Sequence, residues 1–449
     1  MPIEIHTTIY NNNQRSEKTE HAEFVTDRDV EYPVINLHPQ VKYQTFQGFG
    51  GMFTEAAAYT LSQVGEAVYD RVIQDFFGED GLRYTCGRVH LDSCDACLSN
   101  YSAMDDPADE NLDSFSIKRD EKYLIPMIKK AQKVCSRPLA LMVSPWSPPP
   151  FMKTNGERNR GGFLRPGYRE LWAKYICRFI KEYQKHGIGF SMLSLQNEPK
   201  AVQKWDSCVY TAAEEREFIR SHLAPELKRH GLGDIQLLIW DHNKERALER
   251  ALETINDREM DGLISGIAVH WYSGDHFEQL DMIGKLYPGK RILFTEGCVE
   301  YSKFGRDDHL AHARMYAHDI IGDLNSGVDC FIHWSLVFDE NGGPNHVNNL
   351  CEAIVMCDTR NNTYQKTLPY YYISHFSRFI RPGAVRIGFS RFADKLEVTA
   401  FLNESGEKVA VVLNKTGEDI PYVLREGDCV CKRISPGDSI ATLIIPAGA

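Results

Sequence analysis

Two glutamates end apolar stretches of this sequence at points where a buried strand would otherwise continue. Glu198 closes the run "FSMLSLQNE" just before Pro199, and Glu296 closes the run "RILFTE". Two carboxyl groups that flank a scissile bond can hydrolyse a glycoside, because one donates a proton while the other acts as nucleophile or base. The residues therefore indicate acid–base chemistry on a sugar.

Further polar and aromatic residues lie at the ends of other apolar runs. They are Arg88, His90, Asp92, Asp95, Trp146, Asn197, His270, Trp271, Tyr272, His333 and Trp334. The indole rings of Trp146 and Trp334 suit the apolar faces of a sugar, and the amide of Asn197 suits its 2-hydroxyl group. A structural interpretation stays open at this point, with Arg88 as the partner of a buried acid and Tyr272 as a core residue.

Eight apolar, strand-like runs alternate with helix-like segments along most of the chain. The runs span residues 46–54, 82–92, 139–146, 190–198, 235–243, 264–272, 291–298 and 328–338. Eight strand–helix repeats predict an α/β fold of the (β/α)8 TIM-barrel type, whose active site forms at the C-terminal ends of the strands. The fourth and seventh strands face each other across such a barrel, so Glu198 and Glu296 are predicted to point into one mouth.

The pattern changes after residue 380, where short strand-like runs are separated by turn residues and no helix-like segment follows. The first 40 residues are also strand-like, and chain termini often lie close together in compact folds. We therefore predict a small all-β, sandwich-like side domain built from both termini. The predicted boundaries are residues 1–42 for its N-terminal strands, 43–380 for the barrel and 381–449 for its C-terminal part.

Composition excludes several classes of function. The 449 residues carry a net charge of −11, which argues against a nucleic acid as partner. No uncharged apolar stretch is long enough for a membrane span, and the first residues lack the basic and apolar regions of a signal peptide. The sequence thus predicts a cytoplasmic protein with a carbohydrate or glycolipid substrate, and it leaves a homo-oligomer open.

The twelve cysteines are scattered through apolar runs, as expected for structural thiols. Cys94 and Cys97 form a CxxC motif, but no second CxxC or paired-histidine motif completes a set of metal ligands. A metal-dependent barrel hydrolase that uses His90, Asp92 and His270 is a weaker alternative, because metal-binding barrels place their ligands more densely. We predict no metal site and no cofactor.

Beyond these patterns, the chain resembles glycoside hydrolase family 30, the family of the glucosylceramidases. The matching stretches are "FQGFGGMFTEAAA", "GRVHLDSCDACLSNYS", "SPWSPPPFMKTNG", "LSLQNEP", "GIAVHWYSG", "LFTEGCVE", "HWSLVFDENGGPNHVNN", "YYISHFSRFIRPGAVRIG" and "VVLNKT". They follow one another in the family's order from residue 46 to residue 416. The resemblance implies a (β/α)8 barrel with a β-sandwich-like side domain, and a retaining β-glycosidase that needs no cofactor.

The resemblance also assigns roles to individual residues. It implies Glu198 as the acid/base and Glu296 as the nucleophile. The implied sugar-binding residues are Asp95, Trp146, Asn197, Trp334 and Asn349, and the implied supporting residues are Arg88, His270 and Tyr272. We expect hydrogen bonds and charge to lower the pKa of Glu296, and an apolar setting near a second carboxylate to raise the pKa of Glu198.

Two positions depart from the glucosylceramidase pattern. Gln196 stands where those enzymes have glutamate, and Ser335 stands where they have asparagine. We expect both positions to lie at the rim and to affect the choice of aglycone. The leading hypothesis is an exo-acting β-glucosidase of the glucosylceramidase type; the alternatives are a β-xylosidase, a β-fucosidase or a β-1,6-glucanase. A different class, a carbohydrate-binding barrel without turnover, is disfavoured by the presence of both glutamates.

Overall fold

A computed structural model of the protein describes residues 2–28, 31 and 33–448. Its centre is a closed barrel of parallel strands, each hydrogen-bonded to the next in chain order, with the last strand pairing with the first. We number these barrel strands one to eight: Gly48–Phe53, Cys86–Leu91, Ala140–Pro145, Met192–Ser194, Gln236–Asn243, Ile264–His270, Arg291–Glu296 and Cys330–Ser335. The predicted TIM barrel is confirmed.

Helices connect the strands. The α-helices are Glu55–Gln63, Glu66–Phe77, Lys118–Lys122, Leu124–Val134, Arg169–Lys185, Ala212–Phe218, Ala224–Arg229, Ala247–Thr254, Arg258–Leu263, Phe277–Leu286, Tyr301–Phe304, His309–Asn325 and Leu368–Ser377. Short 3-10 turns are Pro150–Met152, Pro166–Tyr168 and Lys244–Arg246, and Ile219–Leu223 is a π-helical turn. Local sequence sets the helix ends, as at Thr211, whose side chain and that of Glu214 form a capping box.

The barrel interior begins with an apolar layer that we call the barrel floor. It comprises Cys86, Met142, Met192, Leu238, Ala268, Leu293, Cys330 and Ile332. These side chains come from strands two to eight and are almost completely buried. Because strand residues alternate between two faces, the residues two positions further along each strand point into the same interior, one layer closer to the mouth.

A separate ten-stranded sheet forms the side domain. In spatial order its strands are Gln14–Ala22, Ile3–Asn11, Ser439–Ile445, Lys408–Asn414, Leu396–Leu402, Val385–Phe392, Val34–Thr45, Ile420–Glu426, Cys429–Ser435 and Val25–Thr26. Strands from both termini therefore pair directly, and their apolar side chains share one core that includes Ile5, Ile35 and Leu443. The predicted sandwich-like domain from both termini is confirmed, whereas its exact residue boundaries stay a prediction.

Two small sheets lie near the C-terminal mouth of the barrel. Val299–Glu300 pairs with Cys351–Glu352, and Val337–Asp339 pairs with Val355–Asp358, which pairs in turn with Thr363–Lys366. The first pair joins the chain just after strand seven to the chain just after Asn349. Within residues 2–28, 31 and 33–448, no helix combines the length and the apolar character needed to cross a bilayer.

Candidate active site

A cavity of about 420 Å³ opens at the C-terminal mouth of the barrel. Its lining residues are Asp95, Trp146, Asn197, Glu198, Gln203, Lys204, Trp205, His242, Asn243, Tyr272, Glu296, Cys298, Glu300, Ser302, Lys303, Trp334 and Asn349. Eight of the ten residues predicted for the site belong to this lining. The other two, Arg88 and His270, are fully buried directly beneath it.

Above the barrel floor lies a second interior layer made of polar residues, which we call the charged layer. It consists of Arg88, Ser144, Ser194, Asp241, His270 and Thr295, all buried. The carboxylate of Asp241 accepts hydrogen bonds from Ser194 Oγ at 2.5 Å, from Thr295 Oγ1 at 2.6 Å and from Arg88 Nη2 at 2.7 Å. Because its members satisfy one another, this layer forms a rigid base for the cavity.

Glu296 is held by two donors. Arg88 Nη1 donates to Glu296 Oε2 at 2.6 Å, and the Tyr272 hydroxyl donates to Glu296 Oε1 at 3.0 Å. Arg88 also donates to Asn197 Oδ1 at 2.7 Å, and its guanidinium lies 4.6 Å from the ring centre of Trp146. Fixing both carboxylate oxygens leaves the group in one orientation, as a nucleophile requires.

Glu198 stands opposite two imidazoles. Its Oε1 atom lies 3.2 Å from His270 Nδ1 and 3.5 Å from His242 Nδ1. The residue adopts a left-handed backbone conformation with φ 46°, and its N–H donates to the Asp241 carbonyl at 2.9 Å. This uncommon conformation turns the side chain out of the strand direction and towards the cavity.

The pKa directions of the two glutamates are the reverse of the sequence expectation. Burial raises the pKa of Glu296, and the opposing effects of His270 and Arg88 do not overcome it. Burial also acts to raise the pKa of Glu198, but the neighbouring imidazoles of His242 and His270 outweigh it and hold that pKa well below its ordinary value. The expectation for Glu198 was wrong because His242 was not foreseen beside it, and that for Glu296 because burial outweighs its donors.

The deep end of the cavity is lined by Asp95, Trp146 and Trp334. The two indole rings lie 5.8 Å apart, and Asn345 Nδ2 donates to Asp95 Oδ2 at 3.0 Å. Burial, together with the charge of Glu296, raises the pKa of Asp95 to about 7. An aromatic wall beside a fixed carboxyl group matches the apolar face and the hydroxyl groups of one sugar ring.

Other residues singled out from the sequence lie outside the cavity. His90 is held by backbone atoms, since its Nε2 accepts from the Glu55 N–H at 3.0 Å and its Nδ1 contacts the Asp92 carbonyl at 2.5 Å. The Asp92 carboxylate accepts from the Tyr175 hydroxyl at 2.7 Å. In the described part of the chain, His90, Asp92 and His270 do not come together as one set of ligands.

Both domains of the chain match domains of one known protein family. Residues 46–380 match the glycosyl hydrolase family 30 TIM-barrel domain, and residues 383–443 match the beta sandwich domain of the same family. The chain belongs to glycoside hydrolase family 30. This family 30 protein is therefore a glycoside hydrolase, which acts on carbohydrate substrates.

Three relatives illustrate the similarity. The chain is 31% identical to the lysosomal acid glucosylceramidase of Mus musculus over 428 residues, which cover 92% of this chain and 83% of the mouse protein. It is 25% identical to an endo-1,6-beta-D-glucanase of Neurospora crassa, with coverage of 92% and 88%. The crystal structure of SrfJ from Salmonella typhimurium superposes with a TM-score of 0.95 at 36% identity, covering 99% of this chain and 100% of that one.

Among the residues of this family 30 site that the sequence did not single out, Asp241 and His242 contact the predicted residues most directly. Both lie on strand five, where the pairing with strand six shifts register and Trp240 and Asp241 have positive φ values of 73° and 47°. The irregularity lets two consecutive side chains reach the site, whereas a regular strand would send them to opposite faces. The signal available in the sequence was the polar pair at the end of the apolar run "IQLLIW".

The two departures from the glucosylceramidase pattern do not lie at the rim of this family 30 enzyme. Gln196 and Ser335 are each 1% exposed. Gln196 Nε2 donates to the carbonyls of Trp146 and Asn197 at 2.7 and 2.8 Å, and Ser335 Oγ lies 2.9 Å from Thr54 Oγ1. The expected rim position is therefore wrong for both residues, because they are buried and are not part of the cavity lining.

Proposed function

We propose that this chain is a retaining, exo-acting β-glycosidase that hydrolyses terminal β-linked glucose from glucosides or glucosylceramide-type glycolipids. The observation that carries the proposal is that one imidazole nitrogen, His270 Nδ1, lies 3.2 Å from Glu198 Oε1 and 4.0 Å from Glu296 Oε1. The two carboxyl groups therefore share one small space at the cavity base.

This spacing supports retention of configuration. Retaining enzymes hold their two carboxyl groups about 5–5.5 Å apart, whereas inverting enzymes leave room for a water molecule at about 6.5–9.5 Å. The two distances keep these oxygens no more than about 7.2 Å apart, a limit that includes the retaining range and only the lower end of the inverting range. The separation is therefore compatible with direct attack by Glu296 on the anomeric carbon.

The proposed reaction is a double displacement. Glu296 attacks the anomeric carbon while Glu198 protonates the leaving oxygen, which breaks the glycosidic bond and gives a glycosyl ester on Glu296. Glu198 then removes a proton from a water molecule, which attacks the same carbon and releases the sugar. Hydrogen bonds from Arg88 and Tyr272 stabilise the Glu296 carboxylate before the first attack and after its release.

His270 provides the acid with a proton. The pKa of His270 is raised to about 9: burial acts to lower it, but the charges of Glu296 and Asp241 and the hydrogen bonds to Asp241 and Glu198 raise it more. At neutral pH the imidazolium thus faces an ionised Glu198 in the empty cavity. An uncharged sugar that displaces water favours the neutral arrangement, in which the proton has moved from His270 Nδ1 to Glu198.

The shape of the cavity supports exo action. Asp95, Trp146 and Trp334 line the cavity and are almost completely buried, whereas Lys204 and Lys303, which also line it, are exposed. A chain of sugars would need an open groove on both sides of the carboxylates. A cavity with this buried portion favours a single terminal sugar there, with the aglycone near the exposed residues of the lining.

The test is a panel of nitrophenyl β-glycosides (glucoside, xyloside, fucoside and galactoside) together with glucosylceramide in detergent. We expect the glucoside to give the highest kcat/KM, and proton NMR to show β-glucose as the first product. First formation of α-glucose would refute retention, and a preference for the xyloside or fucoside would replace the proposed sugar with that alternative. Equal failure of every glycoside, with measurable glucose binding, would support the carbohydrate-binding alternative.

A second candidate is an endo-acting β-1,6-glucanase. The similarity to the Neurospora crassa protein, whose name states this activity, favours it. A linear β-1,6-glucan separates the two functions, because exo action releases glucose from the first minutes whereas endo action releases oligosaccharides first. Chromatography of the early products therefore decides between them.

A further inference from the structure

The CxxC motif formed by Cys94 and Cys97 lies beside the cavity but takes no part in the reaction proposed above. Both cysteines are free thiols, and they follow strand two within residues 92–117, a fully described stretch that contains no helix or strand. Asp95, which lines the cavity, lies between them in the chain. A bond between the two thiols would therefore act directly on a residue of the cavity.

The two sulfur atoms are already in contact. Cys94 Sγ lies 3.8 Å from Cys97 Sγ, whereas the S–S bond of a disulfide is about 2.05 Å long. Closing this gap takes a movement of about 1.8 Å, which rotation of the two side chains and a small shift of the loop supply together. Because the loop lacks the hydrogen-bond ladder of a helix or strand, little regular structure opposes that shift.

The sulfur of Cys97 is the better placed of the two to react first. It accepts a hydrogen bond from the backbone N–H of Cys94 at 3.4 Å, and a donor of this kind stabilises the thiolate form. The ring of His90 lies close by, with Nε2 3.9 Å from Cys97 Sγ, but Nε2 already accepts from the Glu55 N–H at 3.0 Å. The pair of thiols is therefore left for chemistry between the two sulfurs.

Both thiols are buried, so the oxidant that reaches them must be small. Leu98, the residue after Cys97, is 39% exposed, and Asp95 borders the cavity. The thiols thus lie only one residue away from solvent along the chain. Hydrogen peroxide is little larger than water and can enter by local opening of a loop, whereas a bulky disulfide such as oxidised glutathione is disfavoured.

We propose that Cys94 and Cys97 form a site of reversible oxidation by hydrogen peroxide. The Cys97 thiolate attacks one peroxide oxygen, the O–O bond breaks, and Cys97 becomes a sulfenic acid while the released hydroxide takes up the proton that Cys97 lost. The Cys94 sulfur then attacks the Cys97 sulfur, the S–O bond breaks, and the hydroxyl leaves with the proton of Cys94 as water. Two thiols are oxidised to one disulfide, and the peroxide is reduced to two molecules of water.

The disulfide acts on the cavity through Asp95. In the reduced protein, Asp95 Oδ2 accepts from Asn345 Nδ2 at 3.0 Å, and the Asp95 carbonyl accepts from the His346 N–H at 3.2 Å. Drawing the two flanking residues together shifts the Asp95 carboxyl group within the cavity wall. A displacement of about 1 Å can cost on the order of 10²-fold in rate, so we expect kcat/KM to fall at least ~10-fold. This loss of turnover rests on the sugar-binding role of Asp95 in the proposed function, whereas formation of the disulfide does not.

Peptide mapping is the main test. The full chain is reduced, freed of reductant, treated with hydrogen peroxide at neutral pH, and alkylated with iodoacetamide in denaturant before digestion with trypsin. Residues 89–118 form one tryptic peptide, whose only cysteines are Cys94 and Cys97. We expect this peptide to be lighter by two hydrogens and to escape alkylation, and dithiothreitol to make both of its cysteines reactive again.

The chain offers an internal control and a matched variant. Cys86 and Cys330 are hydrogen-bonded to each other as well, but they lie in the barrel floor and should stay reduced. Cys429→Ser removes an exposed thiol and should form the disulfide like the parent protein, whereas Cys97→Ser should not form it. Cys94→Ser repeats the test if circular dichroism shows that Cys97→Ser is unfolded. Absence of the disulfide in the parent, equal oxidation of Cys86 and Cys330, or loss of the disulfide in Cys429→Ser would each overturn the proposal.

An activity measurement separates this proposal from the proposed function. On any glycoside that the reduced enzyme hydrolyses, we expect peroxide to lower kcat/KM of the parent and of Cys429→Ser, dithiothreitol to restore it, and Cys97→Ser to keep its own reduced rate. A disulfide that leaves kcat/KM unchanged would refute its action on the cavity. Turnover in a protein that never forms the disulfide would refute the oxidation site and leave the glycosidase. Formation of the disulfide in a protein that turns over no glycoside would refute the glycosidase and leave the oxidation site.

Discussion

The barrel floor and the charged layer lie one above the other on the same strands, and they differ in almost every physical property. Cys86 and Arg88, Ala268 and His270, or Leu293 and Thr295 are neighbours on one face of a strand. Burial of apolar side chains in the floor stabilises the fold. The polar side chains of the charged layer lose their contacts with water, and hydrogen bonds among themselves replace these contacts. The difference teaches that two residues along a strand separate a layer that stabilises the fold from one that serves chemistry.

This contrast predicts that Glu296→Gln, directly above the charged layer, changes rate and not stability. The amide keeps the shape of the side chain but cannot form the glycosyl ester, so kcat/KM for the best nitrophenyl glycoside should fall by on the order of 10⁴-fold or more. Glu296 is already destabilised as an anion by burial, so the free energy of unfolding should stay equal or rise slightly. Urea denaturation checks the second expectation.

If Glu296→Gln kept more than about 1% of the parent rate, Glu296 would not be the nucleophile. Glu300→Gln is the matched control, since Glu300 also lines the cavity but makes no contact with Arg88 or Tyr272 in the described hydrogen bonds. We expect that variant to keep kcat within a few-fold of the parent value.

Arg88→Met should affect both properties, because Arg88 joins the charged layer to Glu296. Its removal leaves Asp241 and Glu296 buried without the guanidinium that lies 2.7 and 2.6 Å away. Breaking a buried ion pair in this way costs about 3–5 kcal/mol of unfolding free energy. Arg291→Met is the control, because Arg291 pairs with Asp329 at the opposite end of the barrel and its side chain is 21% exposed. We expect this variant to lose less unfolding free energy than Arg88→Met. Equal losses would contradict a special role of the charged layer.

Leu293→Ala tests the floor. The side chain is fully buried in the apolar layer, and its truncation leaves a cavity, so a loss of about 2–5 kcal/mol in unfolding free energy is expected. The hydrogen bonds of the charged layer remain, so KM and kcat should stay within about twofold at a temperature where the variant is folded. Leu286→Ala, at a residue 56% exposed, should cost less than about 0.5 kcal/mol. A large change in kcat of Leu293→Ala would mean that packing in the barrel floor also holds the catalytic side chains in position.

Both layers could be read in large part from the sequence, because each strand is an apolar run that turns polar at its C-terminal end. The strand ends at His270 and Glu296 follow this rule, and all eight strands were predicted, whereas Glu198 lies four residues beyond strand four in a left-handed backbone conformation. A regular period of two was sufficient for His270, which lies two residues after Ala268, but not for Glu296, which directly follows Thr295 of the charged layer at a register shift.

The rest depended on irregular backbone and on contacts between distant parts of the chain. The register shift on strand five brings both Asp241 and His242 to the site, and no residue type in "IQLLIWDHN" signals a shift. The predicted pKa direction of Glu198 was wrong for the same reason, because His242 was not expected near it, whereas that of Glu296 was wrong because burial outweighs Arg88 and His270. The partner of Asp95, Asn345, lies 250 residues away in the chain, beyond any local pattern.

The expected effect at Asp95, which lines the cavity, shows only in the pH dependence of stability. Its pKa is raised to about 7 from an ordinary value of 3.8, mainly by burial, so the folded protein keeps a proton that the unfolded chain releases between about pH 4 and 7. The contribution of this group to stability is therefore complete below that range and is lost as the pH rises through it, with a slope of at most about 1.4 kcal/mol per pH unit.

Asp95→Asn has nearly the same shape and cannot titrate, so the difference in unfolding free energy between the parent and this variant should change with pH only in that range. Urea denaturation of both proteins at intervals from pH 4 to pH 8 measures it, and other titrating groups cancel in the difference. A parallel pair of curves would show that Asp95 keeps an ordinary pKa. That result would mean that water reaches the Asp95 carboxyl group despite its low exposure. Asp95 would then be ionised at neutral pH like an ordinary carboxylate.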